Sequence, residues 1–237
     1  MSLQPVLQHK DFWVLNKPAG LSFHSEFEPG LVALAEAQLG EKLYAVHRLD
    51  KGTSGLILLA RSSEAAAQLS ALFANGAIDK WYLALSGGKP KKKQGWVKGD
   101  MVQARRSAWM LTTAQSNPAI SYFISAGLAD AGRRAYLVKP YTGKTHQVRV
   151  ALKSVGAALL GDELYKGGQA DRLYLHAYAL GFDWQGQRME LLLKPDQGDF
   201  FTSPALQQLL DQAWAKPWDL GFPFFHRQAA ADAAQTD

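Results

Sequence analysis

The stretch His47-Arg48-Leu49-Asp50-Lys51-Gly52-Thr53-Ser54-Gly55 is a polar loop between two apolar segments. Leu43 to Val46 alternates residue types as a strand does, and Leu56 to Ala60 is an unbroken apolar run typical of a buried strand. The loop holds two glycines, two hydroxyls and four ionisable groups. Because lone charges are costly to bury, we interpret it as a loop that presents a reactive group from a scaffold. Asp50 is the candidate group, although an aspartate beside glycine also commonly forms a turn.

Working outward from this loop, the sequence predicts a mixture of helices and strands. Helices are predicted over 31–39, 62–74, 145–155 and 203–215. Strands are predicted over 12–15, 78–86, 105–113, 120–125, 133–139, 173–182 and 188–193. Many antiparallel strands with few helices indicate an α+β fold. We expect residues 1–227 to form one domain and residues 228–237 to be a disordered tail.

The composition limits the function classes. The chain has 237 residues, 47% of them hydrophobic, and a net charge of +5, which favours an anionic partner such as nucleic acid. We find neither a transmembrane run nor a secretory leader, so no membrane partner is expected. Cysteine is absent, which excludes disulfides and thiolate chemistry and fits a cytoplasmic protein.

Motifs for cofactor chemistry are also missing. None of the six histidines forms an H-x-x-x-H pair, so a metal site is not expected. Neither the phosphate-binding G-x-x-x-x-G-K-[ST] loop nor G-x-G-x-x-G occurs, and G-x-S-x-G is absent. A reaction of this protein would therefore depend on side chains alone, without a nucleotide cofactor.

Two further segments carry candidate functional groups. Tyr82 lies in a predicted strand, where packing is the alternative role. His146 and Arg149 share one face of the predicted third helix, which Thr145 is expected to cap; surface charges are the alternative. Lys144 precedes that helix, where unpaired N–H groups favour phosphate. Lys17 is expected to be exposed in the loop from Asn16 to Gly20, and the lysine-rich loop 87–95 is either a solvated hairpin tip or a phosphate contact.

Five segments together resemble, in order, the motifs of the RluA family of pseudouridine synthases. They are Asn16-Lys17-Pro18-Ala19-Gly20, the loop from His47 to Ser54, Lys80-x-Tyr82, the segment from Gly143 to Val150, and Leu175-His176-Ala177. The resemblance implies a mixed, mostly antiparallel central sheet flanked by helices and loops, with an RNA-binding cleft. It also implies conversion of uridine in structured RNA to pseudouridine without a cofactor.

The resemblance assigns roles residue by residue. It implies that Asp50 is the catalytic aspartate, that Tyr82 stacks on the target base and that Arg149 pairs with Asp50. Arg48 would enter the RNA beside the flipped nucleotide. The remaining RNA-binding candidates are Lys17, Lys51, Thr53, Lys144, His146, Gln147 and Leu175. Whether Asp50 acts on C1′ itself or as a base toward the sugar stays open, as does whether Tyr82 or water removes the C5 proton.

The sequence departs from the family pattern at three positions. Gly52 stands where Asp or another polar residue is usual, Lys144 where Arg is usual, and Ala151 where His is common. About ten residues precede the first motif, so we expect no S4 module there. The catalytic domain would then select the RNA, which is ribosomal RNA or tRNA. We expect the protein to be a monomer. A non-catalytic RNA-binding or folding factor and a glycosidase of free nucleosides are the alternatives.

Overall fold

Twelve strands and four α-helices form the regular structure of residues 3–25, 28–129 and 132–225, which the computed structural model describes. The strands are β1 (Gln4–Gln8), β2 (Phe12–Lys17), β3 (Tyr44–Ala45), β4 (Ser54–Ala60), β5 (Asp79–Ser86), β6 (Gly95–Gly99), β7 (Met101–Gln103), β8 (Trp109–Leu111), β9 (Ala119–Gly127), β10 (Arg134–Pro140), β11 (Leu175–Trp184) and β12 (Gln187–Leu192). The helices are α1 (Leu31–Leu39), α2 (Ser63–Ala74), α3 (Gln147–Ser154) and α4 (Pro204–Gln212).

Ten of the described strands form one sheet, with the order β1-β2-β4-β11-β5-β10-β9-β6. Strand β3 pairs with β4, and β12 pairs with β11. Neighbouring strands are antiparallel except for β4 and β11, whose short parallel ladder joins Ser54 to His176 and Gly55 to Ala177. The predicted α+β class and the mixed, mostly antiparallel sheet are therefore confirmed. The extent of the domain stays a prediction, and the tail 228–237 lies outside the described residues.

Gly55 determines how the polar loop enters this sheet. Its φ is 110°, and a Cβ there would lie 2.4 Å from the carbonyl oxygen of Ala177. Only glycine allows the two backbones to approach so closely in this conformation. The rest of β4 is buried. The loop that carries Asp50 is consequently anchored at the centre of the sheet, beside the first residues of β11.

The helices cover the sheet and begin and end largely where expected. Ser62 caps α2, because its Oγ accepts a hydrogen bond from the N–H of Ala65, and Gly76 follows the helix with φ 71°. Helix α1 ends at Gly40 in the left-handed conformation, as predicted. Leu69 of α2 packs in the apolar cluster that contains β4. Within the described residues, no helix has both the length and the hydropathy needed to cross a membrane.

Two local predictions are wrong, and one of the two alternatives for the lysine-rich loop is excluded. Thr145 does not cap α3, because the helix begins at Gln147 and His146 occupies the N-cap position with φ 58°. The predicted strand 105–113 is only β8, because a 3₁₀ turn with left-handed Arg106 interrupts it. The lysine-rich loop is not a hairpin tip, because β5 pairs with β10 and β11 whereas β6 pairs with β9.

Candidate active site

A cleft of about 440 Å³ opens where the polar loop, β5 and the segment leading into α3 meet. It brings together nine of the eleven site residues that the sequence predicted. They are Arg48, Asp50, Thr53, Tyr82, Lys144, His146, Gln147, Arg149 and Leu175. Lys51 is exposed outside this lining, and Lys17 is buried behind it.

Lys17 supports the Asp50 loop from the inside. Its Nζ donates hydrogen bonds to the carbonyl oxygens of Pro18 (3.0 Å), Lys51 (3.0 Å) and Thr53 (2.8 Å). Burial lowers the pKa of Lys17 to about 8, although the charge of Asp50 opposes this shift. The prediction that Lys17 is exposed is wrong, and a phosphate contact does not fit because its three donors already have partners. The amine instead ties the backbone that follows Asp50 to the loop that contains Pro18.

Two side chains at the start of α3 lie near the Asp50 carboxylate. Its Oδ2 lies 3.4 Å from Arg149 Nη1 and 3.9 Å from His146 Nε2. The Asp50 side chain is 22% exposed, so it reaches the open cleft. Its backbone carbonyl accepts a 3.0 Å hydrogen bond from the N–H of Thr53, which closes the turn. The arrangement therefore holds the loop firmly while the carboxylate remains accessible to a ligand.

Arg149 is held mainly by Asp162. Its Nε lies 2.7 Å from Asp162 Oδ2 and its Nη2 lies 2.8 Å from Oδ1, a bidentate pair in which the carboxylate is nearly completely buried. Burial alone would lower the pKa of Arg149, but the hydrogen bonds and charge of Asp162, with the charge of Asp50, raise it overall. The guanidinium thus stays charged with its Nη1 toward Asp50.

Asp162 and Tyr165, which the sequence analysis missed, lie in the segment 157–172 between α3 and β11. Gly161 has φ 71°, and a Cβ there would lie 1.8 Å from the carbonyl oxygen of Arg172. This close chain crossing fixes the position of the next residue, Asp162. A glycine beside an aspartate was the available sequence signal, but it does not identify the partner of the carboxylate.

His146 lines the cleft and contacts Tyr165. Its Nδ1 lies 2.9 Å from the hydroxyl of Tyr165, and the backbone N–H of Trp109 donates a 3.0 Å hydrogen bond to the same hydroxyl oxygen. The Tyr165 ring lies under the Arg149 guanidinium, 4.9 Å away. Burial lowers the pKa of His146, as does the charge of Arg149, while Asp50 and Asp162 oppose the shift. The imidazole is therefore neutral at pH 7.

Tyr82 lines the cleft from β5. It lies half-buried on β5, between Ala177 and Val138 of the neighbouring strands. Burial, reinforced by the charge of Asp50, raises the pKa of Tyr82 above its ordinary value, so the phenol stays protonated. Its ring can stack on a planar group in the cleft, and the buried Leu175 adds apolar surface nearby.

His47 fixes the start of the loop and was not among the predicted site residues. Its ring stacks on Phe73 at 4.3 Å, and its Nε2 accepts a 2.9 Å hydrogen bond from the N–H of Leu58. Burial, with the nearby charge of Lys80, lowers the pKa of His47 to about 3. This neutral histidine attaches the loop to β4.

The polar candidates for RNA contacts differ in their freedom to bind. Arg48 is exposed, and Lys144 is half-buried with its Nζ 2.7 Å from Asn117 Oδ1. Gln147 is buried, and its amide donates to Ile120 O and to Ser121 Oγ. Its Oε1 accepts from Thr142 Oγ1 and from Lys144 N. An RNA contact by Gln147 does not fit this set of bonds, which positions the entry to α3 instead.

A search of residues 3–25, 28–129 and 132–225 finds no group of three or more His, Asp or Glu side chains arranged to hold a metal ion. The cleft combines a carboxylate, a fixed guanidinium, a neutral imidazole and an aromatic ring. Such a set can bind a planar, partly anionic ligand and act on an electron-poor carbon beside the carboxylate.

Comparisons by sequence point to RNA modification. The profile of the family described as RNA pseudouridylate synthase matches residues 11–154. A Haemophilus influenzae protein called "Uncharacterized RNA pseudouridine synthase" is 45% identical over 222 residues, covering 92% of this chain and 99% of that protein. The "Ribosomal large subunit pseudouridine synthase C" of Rickettsia bellii is 32% identical over 176 residues, covering 69% of this chain and 58% of its own.

Solved structures share the fold. The human RNA Pseudouridylate Synthase Domain Containing 1 superposes with a TM-score of 0.72 at 22% identity, covering 91% of this chain and 96% of the other. The human RNA Pseudouridylate Synthase Domain Containing 4 gives 0.66 at 25% identity, with 84% and 90% covered. The profile match includes Asp50, Tyr82 and Arg149 and ends before Asp162 and Tyr165.

Proposed function

The chain belongs to the RNA pseudouridylate synthase family, of the RluA type, and from this premise we propose that it isomerises specific uridines of ribosomal RNA or tRNA to pseudouridine, with Asp50 as the catalytic residue. The enzyme class is that of an RNA pseudouridine synthase, an isomerase. The observation that carries the site assignment is the partly exposed Asp50 carboxylate, which lies 3.4 Å from Arg149 and lines the same cleft as Tyr82.

The proposed reaction balances without a cofactor. The N1–C1′ bond of uridine breaks, the uracil turns, C5 joins C1′, and the proton on C5 leaves while N1 gains one. No electrons and no net water are exchanged, so side chains suffice. The Asp50 carboxylate is placed to act at C1′, where positive charge develops as the glycosidic bond breaks. Arg149, oriented by Asp162, holds the carboxylate from one side.

The target base must leave the RNA stack to reach Asp50. An aromatic face offsets part of the cost of unstacking, and Tyr82 supplies that face in our proposal. Because its raised pKa keeps the phenol protonated, Tyr82 is better suited to stacking than to removing the C5 proton. The exposed Arg48 and the half-buried Lys144 line the cleft, the exposed Lys51 lies next to Asp50, and all three would contact phosphates.

The RNA class rests on relatives. The Rickettsia bellii relative is named for the ribosomal large subunit, as is a Zymomonas mobilis relative that is 31% identical over 208 residues. These names favour ribosomal RNA over tRNA. We propose that the protein acts as a monomer in the cytoplasm, without a nucleotide cofactor.

Mapping pseudouridine in total RNA tests the proposal. Carbodiimide labelling of RNA from cells with and without the gene should reveal one or more uridines modified only when it is present. The wild-type gene should restore them, and the isosteric Asp50→Asn variant should not, although its folding and RNA binding should persist. Sites restored by Asp50→Asn would contradict the role of Asp50.

The two alternative functions give different results. A non-catalytic RNA-binding factor would leave every pseudouridine in place when the gene is deleted. A glycosidase would release free uracil and lower the mass of its substrate, whereas isomerisation leaves the mass unchanged. Mass spectrometry of the purified protein incubated with RNA from the deletion strain therefore separates isomerisation from the glycosidase reaction, and carbodiimide mapping of the same RNA separates it from binding without catalysis.

A further inference from the structure

One hydroxyl connects the described β7–β8 hairpin with the cleft. The backbone N–H of Trp109, in β8, donates to the hydroxyl oxygen of Tyr165 at 3.0 Å. The same oxygen lies 2.9 Å from Nδ1 of His146. The other ring nitrogen of His146, Nε2, lies 3.9 Å from Asp50 Oδ2. Tyr165 thus contacts the imidazole on the side that faces away from Asp50.

Counting protons fixes the direction of the first bond and favours one direction for the second. The N–H of Trp109 can only donate, so the Tyr165 oxygen accepts there. The hydroxyl has one proton of its own, and the nearby acceptor recorded for it is His146 Nδ1. A neutral imidazole that accepts at Nδ1 carries its proton on Nε2. The opposite tautomer would direct an Nε2 lone pair toward the Asp50 carboxylate, two acceptors facing each other.

From this geometry we propose that Tyr165 is a positioning residue that holds His146 in the Nε2–H tautomer, so that an N–H donor faces the reaction space beside Asp50. The inference rests on the proposed function and deepens it. The Nε2–Oδ2 separation of 3.9 Å is too long for a hydrogen bond, which leaves this donor available to an oxygen of the bound nucleotide. A donor there stabilises negative charge that builds on uracil when the N1–C1′ bond breaks.

Three further observations support the assignment. His146 occupies the N-cap position of α3 with φ 58°, a backbone conformation that few residues other than glycine adopt. Burial also keeps the pKa of His146 below its ordinary value, so the ring is neutral and has a tautomer to choose. The ring of Tyr165 additionally packs edge-on against that of His146, with centroids 5.7 Å apart.

Nitrogen-15 labelling of histidine tests the tautomer directly. Long-range proton–nitrogen spectra of the free protein at pH 7.5 show which ring nitrogen carries the proton, and the His146→Gln variant assigns the signal. We expect Nε2–H in the wild type and loss of this preference in Tyr165→Phe, which retains the ring and removes the hydroxyl. An Nδ1–H tautomer in the wild type, or an unchanged tautomer in Tyr165→Phe, would overturn the proposal.

Two controls separate positioning from a general loss of structure. Tyr178→Phe removes another buried hydroxyl, which lies away from the cleft and donates a 3.0 Å hydrogen bond to Trp214 O. This variant should leave the His146 signal unchanged. The His176 signal reports on folding in Tyr165→Phe. His176 Nε2 lies 3.0 Å from Leu193 O, so its Nε2–H tautomer should persist in that variant.

A rate measurement tests the consequence for catalysis. Ribosomal RNA and tRNA from the deletion strain serve as substrates under single-turnover conditions at saturating protein. Tyr165→Phe should slow pseudouridine formation roughly tenfold, the effect of about one lost hydrogen bond, while Tyr178→Phe keeps the wild-type rate. A full rate with a changed tautomer would overturn the catalytic part. If no RNA is modified, the proposed function fails, whereas the spectra still decide the tautomer.

Discussion

Arg149 gives its two shortest hydrogen bonds to Asp162 and not to Asp50. The distances to Asp162 are 2.7 and 2.8 Å, whereas the contact with Asp50 is 3.4 Å. Asp162 therefore sets the orientation of the guanidinium, and Asp50 receives a single weaker contact. A carboxylate with few firm partners is better placed to act on a substrate than one that is fully committed to an ion pair.

Replacing Asp162 should destabilise the protein strongly. In Asp162→Ala the Arg149 guanidinium stays buried without its bidentate partner, and such losses cost about 3–5 kcal/mol. Urea unfolding measures this change in free energy. Asp211→Ala is the matched control, because Asp211 pairs with Lys194 at the surface and should cost less than about 1 kcal/mol. Equal losses in the two variants would contradict the structural role of Asp162.

Lys17 and Lys144 should respond differently to salt. Lys17→Met removes the donor for three carbonyls, which should lower stability by about 1–3 kcal/mol without changing the salt dependence of RNA binding. Lys144→Ala should reduce the slope of log K against log salt by about 1, as expected for one lost phosphate contact. Titrations of RNA binding at several salt concentrations measure both slopes. A reduced slope in Lys17→Met would show that its amine reaches phosphate.

The sequence could predict the site where periodicity and motif spacing decide the placement of a residue. The strand around Tyr82 and the helix around Arg149 follow from such patterns, and both residues line the same cleft as Asp50. Lys17 shows the limit, because a lysine before Pro-Ala-Gly has the composition of an exposed loop. Only the packing of two loops against each other places its amine among carbonyl groups.

Asp162 shows a different limit. Its partner Arg149 is thirteen residues earlier, and their pairing depends on the path of the segment 157–172. That path requires the backbone at Gly161 to pass close to the backbone at Arg172. This is a tertiary contact, which leaves no periodic pattern in the sequence. The cap of α3 was mispredicted for a similar reason: the left-handed conformation of His146 depends on contacts outside the helix.

The lysine-rich loop gives a separate prediction on RNA binding. Lys91, Lys92 and Lys93 are exposed, and the loop is attached to the end of α3 through the bond from Lys91 N to Val155 O. Replacing all three lysines with Gln should flatten the salt slope of RNA binding while leaving stability nearly unchanged. A slope equal to that of the wild type would mean that the loop is only a solvated connection.

Gly55→Ala should disrupt the junction of β4 and β11. The new Cβ would lie 2.4 Å from Ala177 O at φ 110°, so we expect a loss of about 4 kcal/mol or more. Gly186→Ala is the control, because Gly186 has φ 82° but open space around it, and backbone strain alone costs about 1–2 kcal/mol. Thermal and urea unfolding compare the two. Equal losses would mean that the close backbone approach is not what requires glycine.

His176 should make stability depend on pH. It is buried, and burial, with the charge of Arg172, lowers the pKa of His176 to about 3, although its bond with Leu193 opposes the shift. In the unfolded chain the ordinary pKa is about 6.5, so below that pH the unfolded state takes up a proton that the folded state does not. Stability is therefore complete above pH 6.5 and falls as the pH decreases toward 3.

A histidine variant isolates this contribution. Between pH 7 and pH 5 the free energy of unfolding of the wild type should fall by about 2 kcal/mol more than that of His176→Gln, because the variant has no titratable side chain at position 176. The variant should start from a lower stability, because the hydrogen bonds of His176 with Ser54 Oγ (2.8 Å) and Leu193 O (3.0 Å) are altered. Urea unfolding at the two pH values gives the difference. Parallel pH dependence in the two proteins would show that His176 is not held neutral in the folded state.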